Sequence, residues 1–138
     1  MADVIILTHG GLAQSLYESV GLFVAEREGL KFLGMDVDTD GFRARLREAL
    51  VESPAREILV LADLFGGTPF NMTAAMLSEA KSRGKQVEIV SGVSLPMLLE
   101  VTLNLPYSGL QELKTMAFES GKAGIRDLLA ELNEKEVE

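Results

Sequence analysis

The chain has 138 residues, a length that suits one domain with a substantial core, and its 47% apolar and 25% charged residues are ordinary for a globular protein. A formal charge of −8 argues against nonspecific nucleic-acid binding, which needs a basic footprint. The apolar runs are too short to span a membrane, the start lacks the basic flank and cleavage site of a signal peptide, and the absence of cysteine fits the cytoplasm.

Four apolar runs read as strands: Val4 to Thr8, Leu30 to Val37, Glu57 to Asp63 and Val87 to Gly92. The first and third are continuously apolar and rich in β-branched residues, the pattern of strands buried on both faces of a parallel sheet. Between the first two, Leu12, Leu16, Val20, Phe23 and Val24 repeat at helical spacing, with Gly29 as the expected stop. Phe42, Leu46 and Leu50 form a second stripe that Ser53-Pro54 ends, because the residue before proline avoids the helical region. A third helix is predicted from Thr68-Pro69, with threonine as N-cap and proline at the first helical position, through Met72, Met76 and Leu77 to Arg83-Gly84. A fourth begins near Ser94 and is almost wholly apolar to Leu103, so its own domain or a second subunit must cover it. A last helical pattern takes Leu113, Met116 and Ala117 and resumes with Ile125, Leu128, Leu129 and Leu132; residues 132–138 read as a charged, frayed tail.

This alternation predicts a single doubly wound α/β domain over residues 1–138, with a mostly parallel four-stranded sheet in the order 2-1-3-4 and helices on both faces. In that order the ligand crevice lies beyond the carboxyl ends of strands one and three. His9, the one histidine of the chain, ends strand one within Thr8-His9-Gly10-Gly11. Asp63 ends strand three at the head of Asp63-Leu64-Phe65-Gly66-Gly67-Thr68-Pro69-Phe70-Asn71. A carboxylate accepting from one ring nitrogen fixes the tautomer and leaves the other nitrogen with an outward lone pair, able to attack phosphorus. A phosphoryl group on His9 would then lie against the amides of Gly66 and Gly67, the helix N-terminus behind them and the Thr68 hydroxyl. Each residue also has a plainer reading: a half-buried histidine, a loop-capping carboxylate, a tight strand-to-helix turn, an N-cap threonine.

Other motifs fit less well. Asp36-Val37-Asp38-Thr39-Asp40-Gly41 opens like a calcium loop, but Arg47 stands where a bidentate glutamate is needed, so an Asp-rich cap on the second helix is the better reading. Thr8-His9-Gly10 lacks the arginine and second histidine of the histidine phosphatases. There is no Walker A pattern, no dinucleotide fingerprint, no acidic cluster of a phospho-aspartate receiver and no cysteine site for zinc. No metal or small cofactor is expected.

Taken together, Thr8-His9-Gly10, the block from Asp63 to Asn71, the stretch Ser91-Gly92-Val93-Ser94-Leu95-Pro96-Met97-Leu98-Leu99-Glu100, and Glu119-Ser120-Gly121-Lys122-Ala123-Gly124-Ile125 resemble the IIA domain of the mannose/fructose/sorbose-type sugar phosphotransferase system. The resemblance covers nearly the whole chain, and the second block is its most specific part. It implies a cytoplasmic phosphotransferase in which His9 takes a phosphoryl group from the phosphocarrier HPr and passes it to an EIIB domain, which serves the membrane subunits EIIC and EIID. Asp63 stands where the family pairs an aspartate with its histidine, Thr68 where it has serine or threonine, and Phe65 where relatives often carry tryptophan. The resemblance further implies a homodimer with an added antiparallel C-terminal strand exchanged between subunits, a strand that the helical pattern after Leu105 does not place. A phosphorylation-controlled EIIA-like module of a transcriptional activator is the alternative. The phosphocarrier subunit of dihydroxyacetone kinase fits less well, since a Met- and Ser-rich sequence is expected there in place of Phe65 to Pro69. Whether the chain is a separate IIA protein or part of a longer IIAB polypeptide is left open, as is the sugar.

Overall fold

A computed structural model describes residues 1–137, and the side chains as far as residue 134. Its elements run β1 (Asp3–His9), α1 (Leu12–Val20), β2 (Leu30–Met35), α2 (Thr39–Arg47), β3 (Glu57–Ala62), α3 (Thr68–Ser82), β4 (Gln86–Ser91), α4 (Leu95–Asn104), α5 (Leu110–Ala123) and α6 (Leu128–Val137). A π-helical turn, Glu48–Glu52, continues α2. The four strands form one parallel sheet in the order β2-β1-β3-β4. Among the described residues no antiparallel strand is added; after Leu105 they hold α5, α6 and the loops that lead into them.

The continuous apolar runs occupy the centre of the sheet, as their composition requires. Successive side chains of a strand point to opposite faces, so β1 and β3 feed two cores. Val4, Ile6, Leu59 and Leu61 meet α1, α4 and α5 on one face. Ile5, Leu7, Ile58 and Val60 meet Phe42, Leu46, Leu50 and Ala80 from α2, the π-helical turn and α3 on the other. All eight of these strand side chains are fully buried. Each, at roughly 1.5–3 kcal/mol for complete burial, holds a central strand in a register that a one-residue slip would invert.

Several expectations shift in detail. α1 stops at Val20 instead of running to Gly29, and Phe23 is exposed. Just beyond it Arg27 returns from the following loop to donate from Nη1 to the Tyr17 carbonyl at 3.0 Å, which the Gly21 N–H also reaches at 3.3 Å, and lies over the Tyr17 ring, 4.3 Å from its centroid. The Asp-rich turn does cap α2: Asp38 Oδ1 accepts from the Gly41 N–H at 2.9 Å. α4 is covered by its own domain, with Met97, Leu98 and Val101 buried in the core that α5 completes. The stretch that begins at residue 132 falls within α6, which runs Leu128–Val137; Glu138 lies outside the described residues.

Candidate functional site

The order of strands reverses between β1 and β3, so the helices that follow them leave on opposite faces and open a crevice at the strands' carboxyl ends. His9 is the last residue of β1 and Asp63 the first beyond β3. The Asp63 N–H donates to the Leu7 carbonyl at 3.1 Å, carrying the pairing of the two strands one step past the sheet.

From there Asp63 Oδ2 accepts twice from the same residue: from the His9 backbone N–H at 3.1 Å and from ring Nδ1 at 3.0 Å. A carboxylate at that position is an acceptor, so Nδ1 carries the proton and Nε2 keeps a lone pair. The histidine side chain is 43% exposed while the aspartate is 15% exposed, which keeps the carboxylate fixed and the imidazole reachable. Asp63 Oδ1 is buried and has no hydrogen-bond partner among the described residues.

The two turns fit around this pair. Thr8 is wholly buried, and its hydroxyl accepts from the Ala13 N–H at 2.7 Å, fixing the start of α1 beneath the histidine. Gly10, at φ +58°, turns the chain out of β1 in a conformation other residues adopt at a cost. The neighbouring strand must leave room for it: a Cβ on Gly34 would stand 2.1 Å from the Gly10 carbonyl oxygen. Gly34 is a part of the site that sequence pattern misses, because only the β1–β2 pairing brings it opposite Thr8.

In the second turn Gly66 is at φ +79°, and the Gly67 N–H is already given to the Leu64 carbonyl at 3.2 Å. Gly67 therefore offers space more than a donor. A Cβ there would lie 2.9 Å from His9 Cε1 and 3.4 Å from Nε2, so the outward edge of the imidazole rests directly against it. The expected cap also moves by one residue. Gly67, extended at ψ 167°, is the N-cap of α3, Thr68 is its first helical residue and Pro69 its second. The Thr68 hydroxyl is thus not spent on capping, and the N–H groups of Gly66, Thr68 and Phe70 have no backbone acceptor among the described residues. Asn71 Nδ2 donates to the Gly66 carbonyl at 3.0 Å and holds the loop against its helix. The exposed Phe65 ring stands on Phe70, centroids 4.7 Å apart, at the lip of the crevice.

The arrangement sets an imidazole with one nitrogen held by Asp63 beside the turn that opens α3. Chemically, such a pairing can serve as a nitrogen nucleophile next to the anion-favouring N-terminus of a helix. No group of three or more metal-ligating side chains occurs among the described residues. No described helix is long and apolar enough to cross a membrane.

Comparisons with known proteins agree on one family. The model EIIA-man, described as PTS system fructose IIA component, matches residues 3–118. The fructose-specific EIIA component of Bacillus subtilis is 34% identical over 118 residues, covering 82% of this chain and 77% of that protein. The mannose-specific EIIAB component of Escherichia coli K12 is 27% identical over 96% of this chain, which spans only 41% of that longer protein. Among solved structures, a phosphotransferase system EIIA component from Streptococcus agalactiae superposes with a TM-score of 0.83 at 28% identity, covering 94% of this chain and 99% of its own. The mannose/sorbose-specific IIA subunit from Enterococcus faecalis gives 0.79 at 26% identity, covering 91% of this chain and 93% of its own.

Proposed function

The chain belongs to the EIIA-man family of phosphotransferase-system IIA components, and from that premise we propose that His9 is its phosphoryl acceptor, taking the group from HPr and handing it to an EIIB domain. The protein is a phosphotransferase. The single observation that carries the assignment to His9 is the Nδ1–Asp63 contact of 3.0 Å, which turns Nε2 outward over Gly67.

In the forward step the Nε2 lone pair attacks phosphorus, a new N–P bond forms, and the bond to the donor breaks with its electron pair leaving on the donor. The proton on Nδ1 stays where it is. The ring gains positive character as the bond forms, and Asp63 is the countercharge that faces it. The oxyanions lie toward the N–H groups of Gly66, Thr68 and Phe70 and the Thr68 hydroxyl, donors that carry no formal charge. Holding a phosphoryl group without a cation suits a carrier that must give it up again. In the reverse step the same geometry releases the group to EIIB, and the sugar is chosen by the membrane subunits EIIC and EIID downstream. The reading places the protein in the cytoplasm as a homodimer. Support for a second subunit comes from Ile125, Leu128, Leu129 and Leu132, which leave an apolar face exposed around α6.

The test is incubation with phosphoenolpyruvate, enzyme I and HPr, followed by intact-mass measurement. One acid-labile phosphoryl group that disappears in His9→Gln is the expected result. No gain in mass with competent upstream proteins refutes the assignment.

A further inference from the structure

The turn that opens α3 contains a peptide with little restraint of its own. Gly66-Gly67 joins two residues without a Cβ, so side-chain sterics do little to fix the plane between them, and hydrogen bonds must. The Gly67 N–H of that peptide goes to the Leu64 carbonyl at 3.2 Å, and the Gly66 carbonyl at its other end accepts from Asn71 Nδ2 at 3.0 Å. Asn71 reaches the next peptide with its backbone, its N–H donating to the Gly67 carbonyl at 2.9 Å. One residue of α3 therefore holds two successive peptide groups, and the second of them carries the Thr68 N–H.

Both peptides bear on His9. The first ends at Gly67 Cα, where a Cβ would lie 2.9 Å from imidazole Cε1, so its plane sets the surface on which the ring rests. Gly66 is at φ +79°, a conformation that glycine enters and leaves freely. Among the described residues its carbonyl has no acceptor bond besides the one from Asn71, so without that side chain the peptide can rotate and carry Gly67 with it. Asparagine suits this task better than it suits the helix. A carboxylate near the start of α3 would be favoured by the helix N-terminus, yet the first turn holds no acidic residue. A carboxylate at position 71 could not donate to a carbonyl. The Asn71 side chain is exposed, so its bond adds little to stability; what it determines is where the turn is held.

We propose that Asn71 is a positioning residue for phosphoryl transfer, its amide fixing the Gly66–Gly67 peptide and through it the seat of the His9 imidazole. The inference rests on the relay reading above and adds the residue that keeps Nε2 in place as phosphorus approaches. Asp63 fixes the ring from the Nδ1 side, and the Asn71 clamp fixes the surface under its Cε1 edge. Asn71 acts through Gly67 and not on phosphorus. A small displacement of the ring slows the bond-forming step far more than it weakens the encounter with the donor protein. The signature of such a residue is a fall in kcat with KM preserved.

The test measures transfer from phosphorylated HPr to the chain with Asn71→Ala, Asn71→Asp and, as a control, Ser82→Ala, which removes a 2.6 Å bond from a side chain to the Glu79 carbonyl at the far end of the same helix. Asn71→Ala lowers kcat by about tenfold with KM within about twofold of the parent, Asn71→Asp lowers kcat further, and Ser82→Ala changes neither. The aspartate keeps the shape of the side chain, so the comparison stays readable if truncation disturbs the turn. In the unphosphorylated protein, with no HPr present, amide hydrogen exchange at Gly67 speeds up by about tenfold in Asn71→Ala. Adding Gly67→Ala to Asn71→Ala costs less than the product of the two single losses, since both act through one peptide. Parent-like kcat in both Asn71 variants overturns the inference. So does a rise in KM alone, which would put Asn71 on the docking surface, and so does a fall in kcat with Gly67 exchange unchanged, which would put its amide on the phosphoryl group. A parent protein that is never phosphorylated at His9 overturns the relay reading and this inference with it, whereas a labelled parent with unaffected variants overturns this inference alone.

Discussion

The imidazole of His9 rests on Gly67 so closely that a single methyl group there would come within 2.9 Å of ring carbon Cε1. The backbone of Gly67, at φ −72° and ψ 167°, is one that alanine adopts without strain. Gly67→Ala should therefore fold normally, with a melting temperature within a few degrees of the parent, while its phosphorylation by HPr slows by about tenfold or more, since small misplacements of a reacting group are costly. Parent-like transfer rates would show that the ring has another place to go.

Asp63→Asn separates charge from shape. The parent oxygen Oδ2 takes two donors, whereas Oδ1 is buried without a partner. If the amide oxygen takes the place of Oδ2, the NH₂ group is buried with no acceptor; if the NH₂ takes that place, it faces two N–H donors. Either orientation costs about 1–3 kcal/mol, and the countercharge to the phosphorylated ring is gone. Urea unfolding should show that loss of stability with the fold retained, and transfer should slow by roughly a hundredfold. Unchanged kinetics would reduce Asp63 to a loop cap.

Gly34→Ala probes the support of the site from the neighbouring strand. The added Cβ meets the Gly10 carbonyl oxygen at 2.1 Å, backbone against backbone, so β2 or the His9 turn must shift. A destabilisation of about 2 kcal/mol or more is expected from this overpacking, read as a fall in melting temperature, with phosphorylation impaired in the same variant.

A pH effect should appear far from the histidine. The Gln111 amide and the Lys114 ammonium, 3.2 and 3.1 Å from the two oxygens of Glu88, hold its carboxyl below the usual carboxylate range. A lowered pKa in the folded state stabilises the fold above the unfolded pKa of about 4.3, and that stability is lost as pH falls through the folded value. Glu88→Gln should thus lower the urea midpoint at pH 7, by an amount under about 1 kcal/mol for so exposed a pair. Near pH 3 its curve should approach the parent's, and a gap that widened there would contradict the assignment.

Much of this was readable from the chain. Two continuous apolar runs could only be central strands, and the order of elements then placed His9 and Asp63 beside one crevice. What could not be read has a common cause: groups that arrive from elsewhere in the fold. Phe23 and Val24 continue the helical spacing of Leu12 and Val20, yet α1 ends at Val20, where Arg27 comes back from the loop to share the Tyr17 carbonyl. Thr68 looks like an N-cap, and the extended backbone of Gly67 moves that position by one. Gly34 carries no motif at all; its meaning lies in a contact across two strands.

The Asp63 carboxylate joins two levels of the structure, because its one oxygen holds both the main chain and the ring of His9 while its own N–H extends the pairing of β3 with β1. Imidazole orientation is thereby tied to strand alignment. Under the proposed relay, a chain misfolded by even one step between its central strands would present a histidine with no fixed tautomer, a poorer acceptor for the donor protein. The labelled fraction in a phosphorylation assay would then report correct assembly of the central strands as well as transfer.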